Sequence, residues 1–142
     1  MIDWHVHSKL NALAIHRIDL KTAQTAHEAL DMVAQALKDP KYDQFELVGV
    51  NMRNGVWPDG EAMCRTSLDR LSSTRPIYLF WNGYHSICSN SLGLERVGHE
   101  PEGDGILVEQ EAFEATRKLS AVTDEVLDDW IIQEVKTASY VA

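Results

Sequence analysis

The chain has 142 residues, 44% of them apolar, with 13 basic and 22 acidic side chains for a formal net charge of −9. That length suffices for one domain with its own hydrophobic core, while the acidic balance and the absence of any Lys/Arg run exclude a nucleic-acid surface. No apolar run approaches the roughly 20 residues of a membrane helix and the first residues are not a basic-then-apolar signal, so the expectation is a cytoplasmic protein with no membrane partner.

Ile2-Asp3-Trp4-His5-Val6-His7 reads as a short strand whose period of two points His5 and His7 to one side. Ala14 to Leu20 alternates loosely as a second strand, and Lys21 to Gln24 leave it as a loop. Thr25-Ala-His-Glu28 has the form of a capping box, in which hydroxyl and carboxylate each satisfy an unpaired N–H at a helix start. Ala26, Ala29, Leu30, Val33, Ala34 and Leu37 follow at helical spacing, and Asp39-Pro40 ends the run.

Phe45 to Met52 predicts a buried strand, punctuated by Asn54-Gly55 and Pro58-Asp59-Gly60. A helix is predicted from about Glu61 to Leu71, with Cys64, Leu68 and Leu71 inward and Met63 flanking them. Ile77 to Trp81 fits a central strand. A short helix over Asn90 to Val97 stops at Gly98, turn residues occupy Glu100 to Gly105, and Glu109 to Leu119 predicts a helix with Ala112, Phe113, Thr116 and Leu119 inward. A last helix is expected after Thr123. The alternation of strands and helices predicts an α/β fold: a small, mainly parallel sheet with crossover helices.

Histidine is the commonest protein metal ligand, so the His5/His7 pair is half of a metal site; a structural pair is the competing reading. Asn82-Gly-Tyr-His85 ends the Ile77–Trp81 strand, where α/β sheets place ligand crevices, and His85 is either a pocket residue or a loop histidine holding a carbonyl. A His85/Cys88 base and nucleophile pair has no third group to orient it. Arg53, Trp57 and Asp59 share one loop that can offer a cation and an aromatic wall, or pack on the surface. His16, His27 and His99 need only surface or capping roles, and the acidic groups of Glu109 to Glu114 and Asp128-Asp129 read as solvated helix faces. The glycines form no phosphate-binding pattern, and Cys64 and Cys88 form neither a CxxC motif nor a disulfide framework, which suits a reducing compartment.

As an ordered series, Ile2-Asp-Trp-His-Val-His7, Arg17-Ile-Asp-Leu20, Gly55-Val-Trp-Pro-Asp59, Arg75-Pro-Ile-Tyr78, Asn82-Gly-Tyr-His85 with Ser89-Asn-Ser91, and Gly105-Ile-Leu-Val-Glu109 resemble the metal-dependent amidohydrolases of the N-substituted-formamide-deformylase-like branch. The resemblance runs from residue 1 to about residue 137. It implies a TIM-barrel hydrolase in which His5 and His7 end the first barrel strand and bind a divalent metal, zinc or similar, that activates water for attack on an amide-type carbon. Residues 1–11 would be that strand and 12–142 an inserted α/β domain packed over the barrel mouth, with His85, Trp57 and Arg53 facing a small-molecule substrate.

A (β/α)₈ barrel takes about 250 residues, so 142 cannot contain one, and the remaining metal ligands of the family lie on later strands. The family segments carry an acidic residue and a tryptophan around the strand-end histidine, where this chain has Asn82, Tyr84, Ile87 and Cys88. The expectation is a fragment or insertion domain of an amidohydrolase that cleaves C–N bonds of small amide-like substrates, inactive alone because two histidines leave the metal short of ligands. The alternatives are a stand-alone binding or regulatory module that keeps the insertion fold, and a homodimer through the barrel-facing surface in which two His-x-His motifs share a metal.

Overall fold

The computed structural model describes residues 17–42, 46–53, 55 and 57–119. Five strands, β1 (Ile18–Asp19), β2 (Leu47–Met52), β3 (Ile77–Trp81), β4 (Ser86–Ser89) and β5 (Ile106–Val108), form one sheet in the order of the sequence. β1, β2 and β3 pair in parallel, while β3/β4 and β4/β5 are antiparallel. The α/β class, the central place of β3 and the crossover helices follow the sequence pattern, but half of the pairings are antiparallel and the sheet is mixed. β4 and β5 are absent from the sequence reading because each is short and surrounded by turn residues. The Asn82-Gly83 dipeptide between Trp81 and Ser86 is the hairpin signal that marks β4.

Side chains alternate between two cores, as a sheet covered on both faces requires. Leu47, Met52, Ile77, Leu79 and Cys88 face helices α1 (Ala26–Leu37) and α2 (Arg65–Leu71). Val48, Val50, Tyr78, Phe80, Ile87 and Leu107 face α3 (Ser91–Arg96) and α4 (Gln110–Arg117). In β2 the alternation slips: Val48 and Val50 share one face, yet Met52 turns to the other, where Leu47 lies. The cause is Asn51, whose φ of 66° places it in the left-handed region at an irregularity of register between Gly49 and Met52. Gly49 makes room for the leucines beside it, since a Cβ there would lie 2.7 Å from Leu79 Cδ2 and 2.9 Å from Leu20 Cδ1.

α1 starts where the capping box places it. Thr25 Oγ1 accepts from Glu28 N–H at 3.0 Å, and Glu28 Oε2 accepts from Gln24 N–H at 2.6 Å, one residue before the cap. Its buried stripe is Ala26, Ala29, Val33 and Ala36, rotated from the predicted one so that Leu30, Ala34 and Leu37 are only half-buried. The predicted helix from Glu61 breaks into a single turn at Gly60–Ala62 and α2 from Arg65, with Cys64 as the half-buried N-cap and Met63, rather than Cys64, in the core. Asn90 caps α3 through its side chain, as the expected helix start implies, and Gly98 at φ 90° stops the chain beyond it. The predicted strand with His5 and His7, residue His16 and the last helix lie outside the described residues.

The loop before β5 closes at Gly105. Its φ is +78°, a Cβ there would lie 2.5 Å from the Ser89 carbonyl oxygen, and its own carbonyl accepts from Ser89 N–H at 3.0 Å. Gly105→Ala therefore combines backbone strain with a clash against main chain. Urea denaturation is expected to show a loss of about 2 kcal/mol or more, through detachment of β5 from β4.

Candidate functional site

β5 runs antiparallel to β4, and β4 to β3, so β1, β2, β3 and β5 all end at one edge of the sheet. Among the described residues, the non-glycine residues with positive φ fall along this edge: Asn51 in β2, Tyr84 after β3 and Glu109 after β5. Asparagine tolerates this region, whereas tyrosine and glutamate are strained there. Glu109, at φ 53° and ψ −118°, has a backbone that ordinarily selects glycine. Stored strain of this kind gathers at sites of function, and the carboxyl edge of parallel strands is where α/β sheets bind ligands.

A cleft of about 650 Å³ opens on this edge, lined by Lys21, Thr22, Gln24, Asn51, Arg53 and Asn82. Asp19 organises one wall. Its Oδ1 accepts from Asn51 Nδ2 at 3.1 Å and from Lys21 N–H at 3.1 Å, and Lys21 Nζ lies 3.6 Å from its Oδ2. Desolvation pushes the Asp19 pKa up, but the Asn51 and Lys21 hydrogen bonds and the Lys21 charge outweigh it and leave the carboxyl below its ordinary range.

The second feature of the edge is a histidine–carboxylate pair. His85 Nδ1 lies 3.2 Å from Glu109 Oε2, and its ring stands edge-on to Phe113 with centroids 5.5 Å apart. Glu109 is the N-cap of α4, yet its side chain makes no cap hydrogen bond and turns to His85 instead. Its N–H also donates to the His85 carbonyl at 2.8 Å, so the strained residue fixes the histidine through backbone and side chain together. This gives Glu109 a role beyond that of a solvated helix face. Beside it, Arg17 Nη1 donates to the Tyr84 hydroxyl at 2.9 Å, and Tyr84 packs edge-on to Phe80.

The residues singled out from the sequence are not all brought together. Arg53 lines the cleft. His85 shares the edge without lining the cleft, and Trp57 and Asp59 leave Arg53 to dock on the start of α1. Trp57 Nε1 donates to the Ala23 carbonyl at 3.2 Å, while Asp59 accepts from Ala26 N–H at 2.7 Å, from His27 N–H at 3.1 Å and from the His27 ring. Cys88 is fully buried on the α1 face, where burial first, and the Cys64 and Asp104 charges after it, push its thiol up and rule it out as a nucleophile. Lys21, Asn51 and Asn82 were missed as a group. Three polar residues from three strand ends have no sequence spacing that links them.

His5 and His7 lie outside the described residues. Among the described residues, no three His, Cys, Asp or Glu side chains come together in a way that could hold a metal ion.

Comparison with known proteins bears on the fold. Two uncharacterized metal-dependent hydrolases match it: one from Pyrococcus horikoshii OT3 with a TM-score of 0.68 at 17% identity, and one from Pyrococcus furiosus with a TM-score of 0.64 at 18% identity. The chain resembles one segment of these hydrolases. The match covers 87% of this chain in each case, but 25% and 26% of theirs. In sequence, the chain is 26% identical over 136 residues to Protein LONG AFTER FAR-RED 3 of Arabidopsis thaliana, covering 92% of this chain and 23% of that protein. The chain thus spans about a quarter of the length of these relatives. No protein-family model matches it.

Two outcomes are expected at this edge. Glu109→Ala and Glu109→Gly both remove the carboxylate, but only glycine relieves the positive φ, so the glycine variant is expected to be more stable than the alanine variant by about 1–2 kcal/mol in urea. At Asp59, desolvation raises the pKa, but hydrogen bonds from the His27 side chain and from the Ala26 and His27 N–H groups bring it from 3.8 to about 2. A depressed carboxyl stabilises the folded chain above its unfolded pKa, and that contribution is lost as pH falls through the folded value. Acid titration followed by circular dichroism should show this loss between about pH 4 and pH 2, and Asp59→Asn should flatten it.

Proposed function

We propose that this chain is the His-x-His strand and inserted α/β domain of a metal-dependent hydrolase that cleaves C–N bonds of small amide-like compounds. The fold likeness to two metal-dependent hydrolases over 87% of the chain carries the reading. The ordered segments from Ile2 to Glu109 and the strained, cleft-bearing edge support it.

In this reading residues 1–11 supply His5 and His7 to the metal, and residues 12–142 form the insertion, with its carboxyl edge turned toward the substrate. Arg53 contributes to binding from the cleft and His85 from the hairpin. Trp57 acts indirectly, since its indole pins the loop after β2 to the residues before α1. Among the described residues no three His, Cys, Asp or Glu side chains come together to hold a metal ion, and in this reading two histidines alone leave the centre incomplete. Metal centres with catalytic or structural roles use three or four protein ligands.

Calorimetric titration of the 142-residue protein with zinc tests the assignment. Weak binding that disappears in the His5→Ala/His7→Ala double variant is expected, with no turnover of N-substituted formamides. Zinc affinity unchanged in the double variant would remove His5 and His7 from the metal site, and enzyme-like turnover by the 142 residues alone would overturn the incomplete centre.

A further inference from the structure

The chain carries 22 acidic against 13 basic side chains, but the cleft at the strand ends reverses that balance. Lys21 and Arg53 stand in its wall among Thr22, Gln24, Asn51 and Asn82, and none of these described lining residues is a carboxylate. All six side chains carry N–H or O–H donors, and two carry positive charge. Asp19 backs the wall with its carboxylate engaged by Asn51 and Lys21. An ammonium has three N–H donors, so its contact with Asp19 leaves others for a ligand. Together Arg53, Lys21 and Asp19 carry a net single positive charge.

We infer that this cleft binds the carboxylate group of a small molecule, with Arg53 as its main ion-pair partner and Lys21 and the surrounding amides completing the shell. The planar guanidinium matches the two oxygens of a carboxylate, and charge-assisted hydrogen bonds are the strong ones. A concave wall with a net positive charge attracts an incoming anion. A phosphate carries closer to two negative charges at neutral pH and would leave one unmatched here. The inference deepens the hydrolase reading and rests on it for one point, that the carboxylate belongs to the substrate; the binding itself is a property of the cleft.

Butyrate and its neutral isostere butyramide serve as probes, titrated at constant ionic strength into the isotopically labelled 142-residue protein and followed by backbone amide NMR. Butyrate is expected to shift the Lys21, Thr22, Asn51, Arg53 and Asn82 amides saturably in the millimolar range, and butyramide to leave them in place. Arg53→Gln should weaken butyrate by about tenfold or more, the loss of one charge-assisted pair, and Lys21→Gln should weaken it less. Both are substitutions of exposed side chains, so melting temperatures should stay near wild type. The inference is overturned if butyramide shifts the same amides equally, if both variants bind butyrate as the wild type does, or if inorganic phosphate binds more tightly than butyrate. The zinc titration at His5 and His7 reads the hydrolase assignment independently, so either result can fail without the other.

Discussion

The Asn90 carboxamide holds the fold together at the point where the sheet changes direction. It is fully buried, directly after β4, and its oxygen accepts from Ile77 N–H at 3.1 Å and Gly93 N–H at 2.9 Å. Its nitrogen donates to the Ser72 and Arg75 carbonyls at 3.1 and 2.8 Å. All four hydrogen-bonding positions of the amide are therefore satisfied, and they tie the first residue of β3, the cap of α3 and the loop after α2 to one side chain. A buried amide with half its partners would cost more than it contributes, so it stabilises the fold only when all these segments are in place. Alongside it, Asp69 on α2 accepts from Ser91 N–H and Oγ at 2.7 and 2.6 Å, and Arg65 bridges Ser91 and the Gly103 carbonyl. The antiparallel β3/β4 half is thus locked to the parallel half from the side opposite the cleft-bearing edge.

With one end of the sheet fixed by satisfied polar groups, the other end carries the strain. Asn51, Tyr84 and Glu109 adopt positive φ where the strands end, and each is held by a named partner: Asp19 for Asn51, Arg17 for Tyr84 and His85 for Glu109. The slip at Asn51 keeps Met52 in the α1 core while Asn51 itself stays at the cleft wall. Packing and the shape of the cleft are therefore coupled in β2, because the residue that corrects the burial pattern also lines the cleft. His85 and Arg53 occupy the same edge at different places and both are exposed, His85 beside the Glu109 carboxylate and the Phe113 ring.

Periodicity alone revealed the elements whose apolar pattern is long enough to repeat. The capping box at Thr25-Glu28, β2, β3 and the α3 stop at Gly98 were legible because local hydrogen bonding and burial act within a few residues. β4 and β5, four and three residues long, were not, since neither repeats an apolar pattern often enough to stand out from a loop. The break at Met63-Cys64 was hidden for a related reason: the apolar spacing of a helix continues across it, and only the docking of Arg65 N–H on the Asp104 carbonyl at 2.7 Å shows where α2 begins. In the candidate site, Arg53 and His85 were legible as strand-end residues, whereas their separation from Trp57 and Cys88 was not.

The sequence by itself determined the α/β class, the central strand, the helix caps and the ordered motifs that resemble a hydrolase segment, all of which depend on neighbours close along the chain. Tertiary structure alone decided that the sheet is mixed, that Asp59 and Trp57 serve the start of α1, that Glu109 fixes His85, and that Lys21, Asn51, Arg53 and Asn82 meet in one cleft. The physical reason is distance along the chain. Asp19 and Asn51 are 32 residues apart and His85 and Glu109 are 24, and such pairs are set by strand order and register, which no local pattern records.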